Sequence, residues 1–441
     1  MKKLFSILLC TVLLLIAMTF AGCGKSDAES ADGENANEGA GTAEGTTITM
    51  INIKSEINDQ VMDLAKQYEA ETGVHVEVLS AGPSVDSQAM LKGYYLANQM
   101  PDIIACEASS FSNWDGMLVD MSDQEWASKT SGAFIDDTYG TIGFPYTTEA
   151  IGLIYNADIL SRCGVDPNSI TGPESMRAAF ETVAAHSEEL GLDGVIAFGA
   201  EPEGLGWSSG NHLFGVYIDS GMGRDDTTYI DGIASNKQVD SSRFQNYAAM
   251  INMFTQYANP QLMLSGSYDE QLSGFASGKY AFITQGSWIG AALSSSEEYK
   301  AAGSFQVGML PYAFEEGMDT ILTSAPSWWG VVKEGNVEAA EAFLEWCAGD
   351  SGQKILVEDA GCVSPFTDCK YVAEDPFAPV LASYLEKGKT SDWHWMQLPS
   401  GIGNSEGGLC YCFYRYVSGE EDAAGFEADI NQTLEAWYAK Q

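Results

Sequence analysis

Basic residues are scarce in this chain: 21 Lys and Arg stand against 62 Asp and Glu, a formal net charge of −41 over 441 residues. A field of that sign repels phosphate backbones and anionic membrane surfaces, so it argues against nucleic acid as a partner and against anionic ligands unless a local basic pocket exists. Most of the acid reads as a solvated face. Histidine is scarcer still. His75, His186, His212 and His394 stand alone in the sequence and read as ordinary structural or surface residues. Cys410 and Cys412 form a C-x-C pair with no second pair and no clustered His, so neither a metal site nor a cofactor is expected. After residue 21 there is no second apolar run of membrane-spanning length, and no repeat of solenoid period.

What is present begins with Met1, Lys2 and Lys3 and an apolar run over 4–21, the charged and hydrophobic parts of a secretory signal. Phe20-Ala21-Gly22-Cys23 resembles the lipobox of bacterial lipoproteins, which implies a signal peptide over 1–22, a diacylated Cys23 and an extracytoplasmic body. An uncleaved anchor helix would leave the body on the same side. Residues 24–46 lack aromatic and branched aliphatic side chains, cannot offset their ordering entropy by burial, and read, with Cys23, as a lipid anchor and disordered tether over 23–46. Seven cysteines remain once Cys10 and Cys23 are set aside, so at least one thiol is unpaired within the chain. Cys362 and Cys369 flank a short loop and are the expected disulfide, although spacing alone does not bring their Cα atoms together.

The body opens with an expected strand at 48–53. A helix capped by Asn58 follows, with Val61, Leu64, Ala65 and Tyr68 at helical spacing and Gly73 at its end. A strand at 75–79, a helix over 84–99 and a buried strand at 102–106 complete a β-α-β-α-β order. This implies an α/β fold whose mixed, mostly parallel sheet carries helices on both faces. Ligands of such sheets bind beyond the carboxyl ends of the strands, which singles out Lys54, Ser55 and Glu56 after the first strand, and Glu107, Ser109 and Ser110 after the third. Farther on, strands at 143–146 and 151–155 are broken by Thr147-Thr148-Glu149. The Gly-rich stretch 199–210 reads as a loop, and strands are expected at 195–198, 280–284, 306–309 and 328–332.

The order of these segments resembles that of the extracellular solute-binding proteins serving ATP-driven sugar importers, relatives of maltose-binding protein. The likeness rests on Tyr68-Glu69-Ala70-Glu71-Thr72-Gly73-Val74, Pro101-Asp102-Ile103-Ile104, Gly116-Met117-Leu118-Val119-Asp120-Met121, and Gly143 through Asn156. It continues in Gly278-Lys279-Tyr280-Ala281 with Gly286-Ser287-Trp288, and in the 338–352 and 361–365 stretches. The resemblance implies a periplasmic-binding-protein-like fold: two α/β lobes joined by a hinge, with the ligand in the cleft. It implies lobe one over 46–148 and 306–361, and lobe two over 151–300 and 365–441. It also implies a monomer that is not an enzyme and that passes its solute to ABC permease subunits.

Sugars combine apolar ring faces with hydroxyl edges, so their sites pair aromatic platforms with carboxylates, amides or hydroxyls. The resemblance puts Glu149 at a ligand-contacting acid and Trp288 at a stacking aromatic. Glu56, Glu107 and Ser109 follow lobe-one strands, while Trp207, Trp328 and Tyr146 are further aromatic candidates, with Trp393, Trp395 and Phe413 behind them. Trp328 and Trp329, adjacent on a strand, point to opposite faces, so at most one lines the cleft. Polyamine binding on the same scaffold is the rival reading, since it suits both the acid and the aromatics. Gly206-Trp207-Ser208-Ser209-Gly210 is formally G-x-S-x-G, but a nucleophile elbow needs a strand running directly into it, and the expected strand ends at Phe198.

Overall fold

The structure, a computed structural model, describes residues 45–82 and 85–440. The expected signal peptide, the lipid site at Cys23 and the tether up to residue 44 lie outside the described residues. The strands, in chain order, are β1 (Thr47–Asn52), β2 (His75–Ser80), β3 (Ile103–Cys106), β4 (Phe134–Asp136), β5 (Gly140–Pro145), β6 (Glu149–Ile151) and β7 (Leu153–Asn156). There follow β8 (Ile196–Ala197), β9 (Phe282–Ile283), β10 (Val307–Leu310), β11 (Ile321–Ser324), β12 (Trp328–Val331) and β13 (Thr390–Ser391).

Helix Asn58–Thr72 buries Val61, Leu64, Ala65 and Tyr68 against the first sheet and ends at Gly73, whose φ of 76° is a left-handed conformation that glycine adopts without steric cost. Ile57, not Asn58, holds the N-cap position, and the Asn58 side chain accepts instead from the Ser80 hydroxyl. The return strand β2 lies parallel to β1 with Thr47 opposite His75. β3 joins the other side of β1, again parallel. β12, from far along the chain, enters antiparallel between β3 and β5, giving the order β2-β1-β3-β12-β5-β4. Two further sheets have orders β10-β7-β9-β8 and β13-β11-β6. The chain therefore changes sheets at Gly152, between β6 and β7.

Three further expectations change. β10 pairs antiparallel with β7, Val307 opposite Asn156, and so belongs to the second sheet rather than with the 306–361 segment assigned to the first. Residues 199–210 are not all loop: Trp207–Leu213 winds into a π-helical turn that runs on into helix Phe214–Asp219. Cys362 and Cys369 are both free thiols, as are the other five cysteines of the body. Cys362 is buried in the wall of a pocket, whereas the Cys369 thiol faces the Tyr371 carbonyl at 3.8 Å.

Candidate functional site

The pocket forms where the end of β1, strand β6 and the segment after β9 converge. The Asn52 side chain clasps the backbone of Lys54 from both sides, accepting from its N–H at 2.9 Å and donating to its carbonyl at 3.1 Å. This turn brings the Lys54 ammonium to Glu56 at 2.6 Å and to Glu149, on β6, at 2.5 Å. Lys54 and Glu149 are nearly enclosed, with 11% and 8% of their side chains exposed, while Glu56 keeps 40%. β6 is pinned to the 285–288 segment by a reciprocal pair: the Ala150 N–H donates to the Ser287 hydroxyl at 2.9 Å and the Ser287 N–H to the Ala150 carbonyl at 2.8 Å. Trp288 then folds back over Gly286, where a Cβ would lie 2.0 Å from the indole, so only glycine fits. Its N–H is held by Gln285 at 3.1 Å. Thr147, Cys362 and Asp375 also line the pocket.

Burial opposes charge on Lys54, but the carboxylates of Glu149 and Glu56 more than offset it and hold the ammonium well above the usual lysine range. Glu149 is raised, because burial outweighs the nearby ammonium. For Glu56 the balance goes the other way and Lys54 lowers it. Burial pushes Asp375 up to about 6, with Glu149 adding repulsion. The result is a pocket with one cation among several carboxyl groups, two of them reluctant to ionise.

Trp288 also joins an aromatic wall. His212 lies 4.8 Å from it, Trp207 6.1 Å and Trp393 6.5 Å, ring centre to ring centre. His212 is further flanked by Trp207 at 5.3 Å and by Trp393 and Trp395, each at 5.6 Å. Burial drives His212 down to about 3, so the ring is neutral. Tyr268 extends the wall beside Trp207 at 5.7 Å.

Of the residues selected from sequence, Glu56, Glu149 and Trp288 line the pocket and Trp207 stands in the adjoining wall. Tyr146 is buried beneath, its hydroxyl 2.6 Å from that of Ser327 and its ring stacked on Trp329. Trp328 faces the other side of β12, packs on Phe111 and Phe134, and donates to the Gly132 carbonyl at 2.7 Å, so its ring belongs to the core. Glu107 and Ser109 follow β3 as expected but are not among the pocket-lining residues, and the Glu107 side chain is exposed. Phe413 is fully buried between Tyr247 and Phe426. Asp375 and His212 were missed, the first for want of any motif and the second because an isolated histidine carries no signal. Ser208 is buried, and its hydroxyl donates to the Thr284 carbonyl at 3.3 Å rather than to a histidine.

Residues 63–379 match the family described as bacterial extracellular solute-binding protein. The chain belongs to that family. It is thus a solute-binding, non-catalytic component of a transporter. Among solved structures it is similar to RafE in complex with raffinose, at 17% identity and a TM-score of 0.70 over 89% of this chain and 99% of that one. It is similar also to a chitin oligosaccharide binding protein, at 16% identity and a TM-score of 0.73 over 90% of this chain and 100% of that one. The GacH receptor of Streptomyces glaucescens, solved unliganded and with acarbose, is 18% identical with a TM-score of 0.68, over 89% of this chain and 99% of that one. At such identities the likeness establishes the periplasmic-binding-protein type of fold. No curated protein matches the chain.

Proposed function

We propose that this solute-binding protein captures an oligosaccharide outside the cytoplasm and delivers it to the permease of an ABC importer, held to the membrane by lipid at Cys23. The observation that carries the reading is the meeting, at Trp288, of an aromatic wall with a pocket rich in hydrogen-bonding carboxyl groups. The wall offers apolar faces to sugar rings, and the pocket offers acceptors and donors to their hydroxyls. Glu149 and Trp288 are the principal contacts, with Glu56 and Trp207 beside them and Glu107 and Ser109 approaching from the first sheet. The lobes follow the sheets, and closure about the 147–152 crossover encloses the ligand. Structural neighbours bound to raffinose and acarbose lend support.

Isothermal calorimetry on residues 45–441 with raffinose, stachyose and chitin oligosaccharides is expected to give saturable one-to-one binding without turnover. Saturable binding of spermidine with no response to any saccharide would instead establish the polyamine reading, which the excess of carboxyl groups over Lys54 favours. Anchoring is read separately: incorporation of a palmitate analogue is lost in Cys23→Ser.

A further inference from the structure

Trp393 and Trp395 bracket His394, and the carboxylate of Asp219 holds that residue twice. One oxygen accepts from the His394 backbone N–H at 3.0 Å and the other meets the imidazole Nδ1 at 2.6 Å. Asp219 is fully buried and His394 is 7% exposed. The indole N–H groups of Trp393 and Trp395 and the Nδ1 of His212 are buried without partners. Three unpaired polar atoms in one ring cluster are costly to a fold, and a cluster kept at that cost is suited to supplying hydrogen bonds to something that enters. The His394–Gln397 segment also packs on the 108–114 turn after β3, so its position couples the wall to the first sheet.

We propose that Asp219 and His394 are a positioning pair that fixes Trp393 and Trp395 in the aromatic wall and thereby sets affinity for the solute; the affinity part rests on the carbohydrate reading. Because the carboxylate grips both backbone and side chain of the residue between the two tryptophans, it fixes the direction in which each indole projects. The groups facing the imidazole are Asp219, Asp392, Arg224 and Asp226. Burial disfavours its charged form, but the hydrogen bond and charge of Asp219, with Asp392 adding to them and Arg224 opposing, raise its pKa above the ordinary value. Burial lifts Asp219 to about 6 against the pull of His394. Above about pH 6 the bond therefore joins an imidazolium to a carboxylate, and it loses the donor's positive charge as pH rises through the raised pKa of His394.

The test is fluorine NMR on the body labelled with 5-fluorotryptophan, with resonances assigned through Trp393→Phe, Trp395→Phe and, as a remote control, Trp126→Phe. Without ligand, the Trp393 and Trp395 resonances should share one inflection above pH 6.5 that Trp126 lacks and that disappears in His394→Gln. Absence of that inflection in the unsubstituted protein, or its persistence in His394→Gln, overturns the positioning pair, and neither observation needs Asp219→Asn to fold. Calorimetry with whichever saccharide binds should show affinity about tenfold weaker in Asp219→Asn, the difference expected between a charge-assisted and a neutral bond. Equal affinity there would overturn the link to binding. A protein whose resonances titrate as stated but that binds no saccharide upholds the pair and removes the carbohydrate reading instead.

Discussion

Replacing Lys54 by Met isolates the chemistry of the pocket, because it leaves Glu149 buried on β6 with its ammonium partner gone. Removing one member of a buried pair costs about 3–5 kcal/mol, most of it from stranding the other charge. Glu56, more exposed, is solvated and adds little. For roughly 400 ordered residues the unfolding entropy is about 0.8 kcal/mol/K, so the midpoint should fall by about 4–6 °C. The loss must depend on pH. Glu149 already has a raised folded-state pKa, and without Lys54 it rises further. At pH 5 the stranded carboxyl takes up a proton and the penalty shrinks, whereas at pH 8 it stands in full. Adding Glu149→Gln to Lys54→Met should recover most of the loss at pH 8. Thermal unfolding by circular dichroism at both pH values reads all three outcomes. Equal losses at pH 5 and pH 8, or a double variant no more stable than Lys54→Met, would refute the assignment of Lys54 as the counter-charge that makes Glu149 tolerable.

Trp288→Ala should weaken oligosaccharide binding at least 30-fold by calorimetry, since central buried aromatic contacts are commonly worth 2 kcal/mol or more, and an unchanged affinity would remove Trp288 from the site. Asp375 is 8% exposed and raised to about 6, so its charge costs stability that appears as pH climbs above the ordinary value near 4. Asp375→Asn, which keeps an oxygen for the Phe377 N–H, should therefore gain up to about 3 kcal/mol at pH 8 and nothing at pH 3.5 in urea unfolding. All seven cysteines of the body are free, so reductant should leave the melting temperature unchanged, and thiol labelling in denaturant should count seven.

The parallel start of the first sheet was legible because its signals are local: helical spacing from Val61 to Tyr68, a glycine stop at Gly73, and buried strands on either side. The place of β12 between β3 and β5 was not, since nothing near Trp328 says which distant strand edge will accept it. The same limit misplaced β10, whose partner β7 lies across a long intervening stretch. In the pocket, Glu56, Glu149 and Trp288 could be selected because each follows a strand or falls in a family-like segment. Asp375 is brought in by the 375–378 turn, in which its side chain accepts from the Phe377 N–H, and no sequence pattern marks that turn as facing Glu149. Trp328 misled for an instructive reason: strand alternation says that it and Trp329 face opposite ways, but both faces of this sheet are covered, so both rings are core.

The acid of the pocket also bears on which solute suits it. Glu149 and Glu56 are both engaged by the one ammonium, which leaves Asp375, near 6, as the pocket carboxyl group not yet neutralised by a cation. A carboxyl with a pKa close to the ambient pH can donate from its protonated form and accept from its ionised one, which matches hydroxyl groups that do both. A polyamine, by contrast, requires Asp375 ionised, so its binding would expel protons near pH 6 and strengthen as pH rises. Uptake of a neutral saccharide carries no such obligation. The heat of binding measured in two buffers of unlike ionisation enthalpy separates the cases: proton release near pH 6 marks the polyamine, and its absence the saccharide.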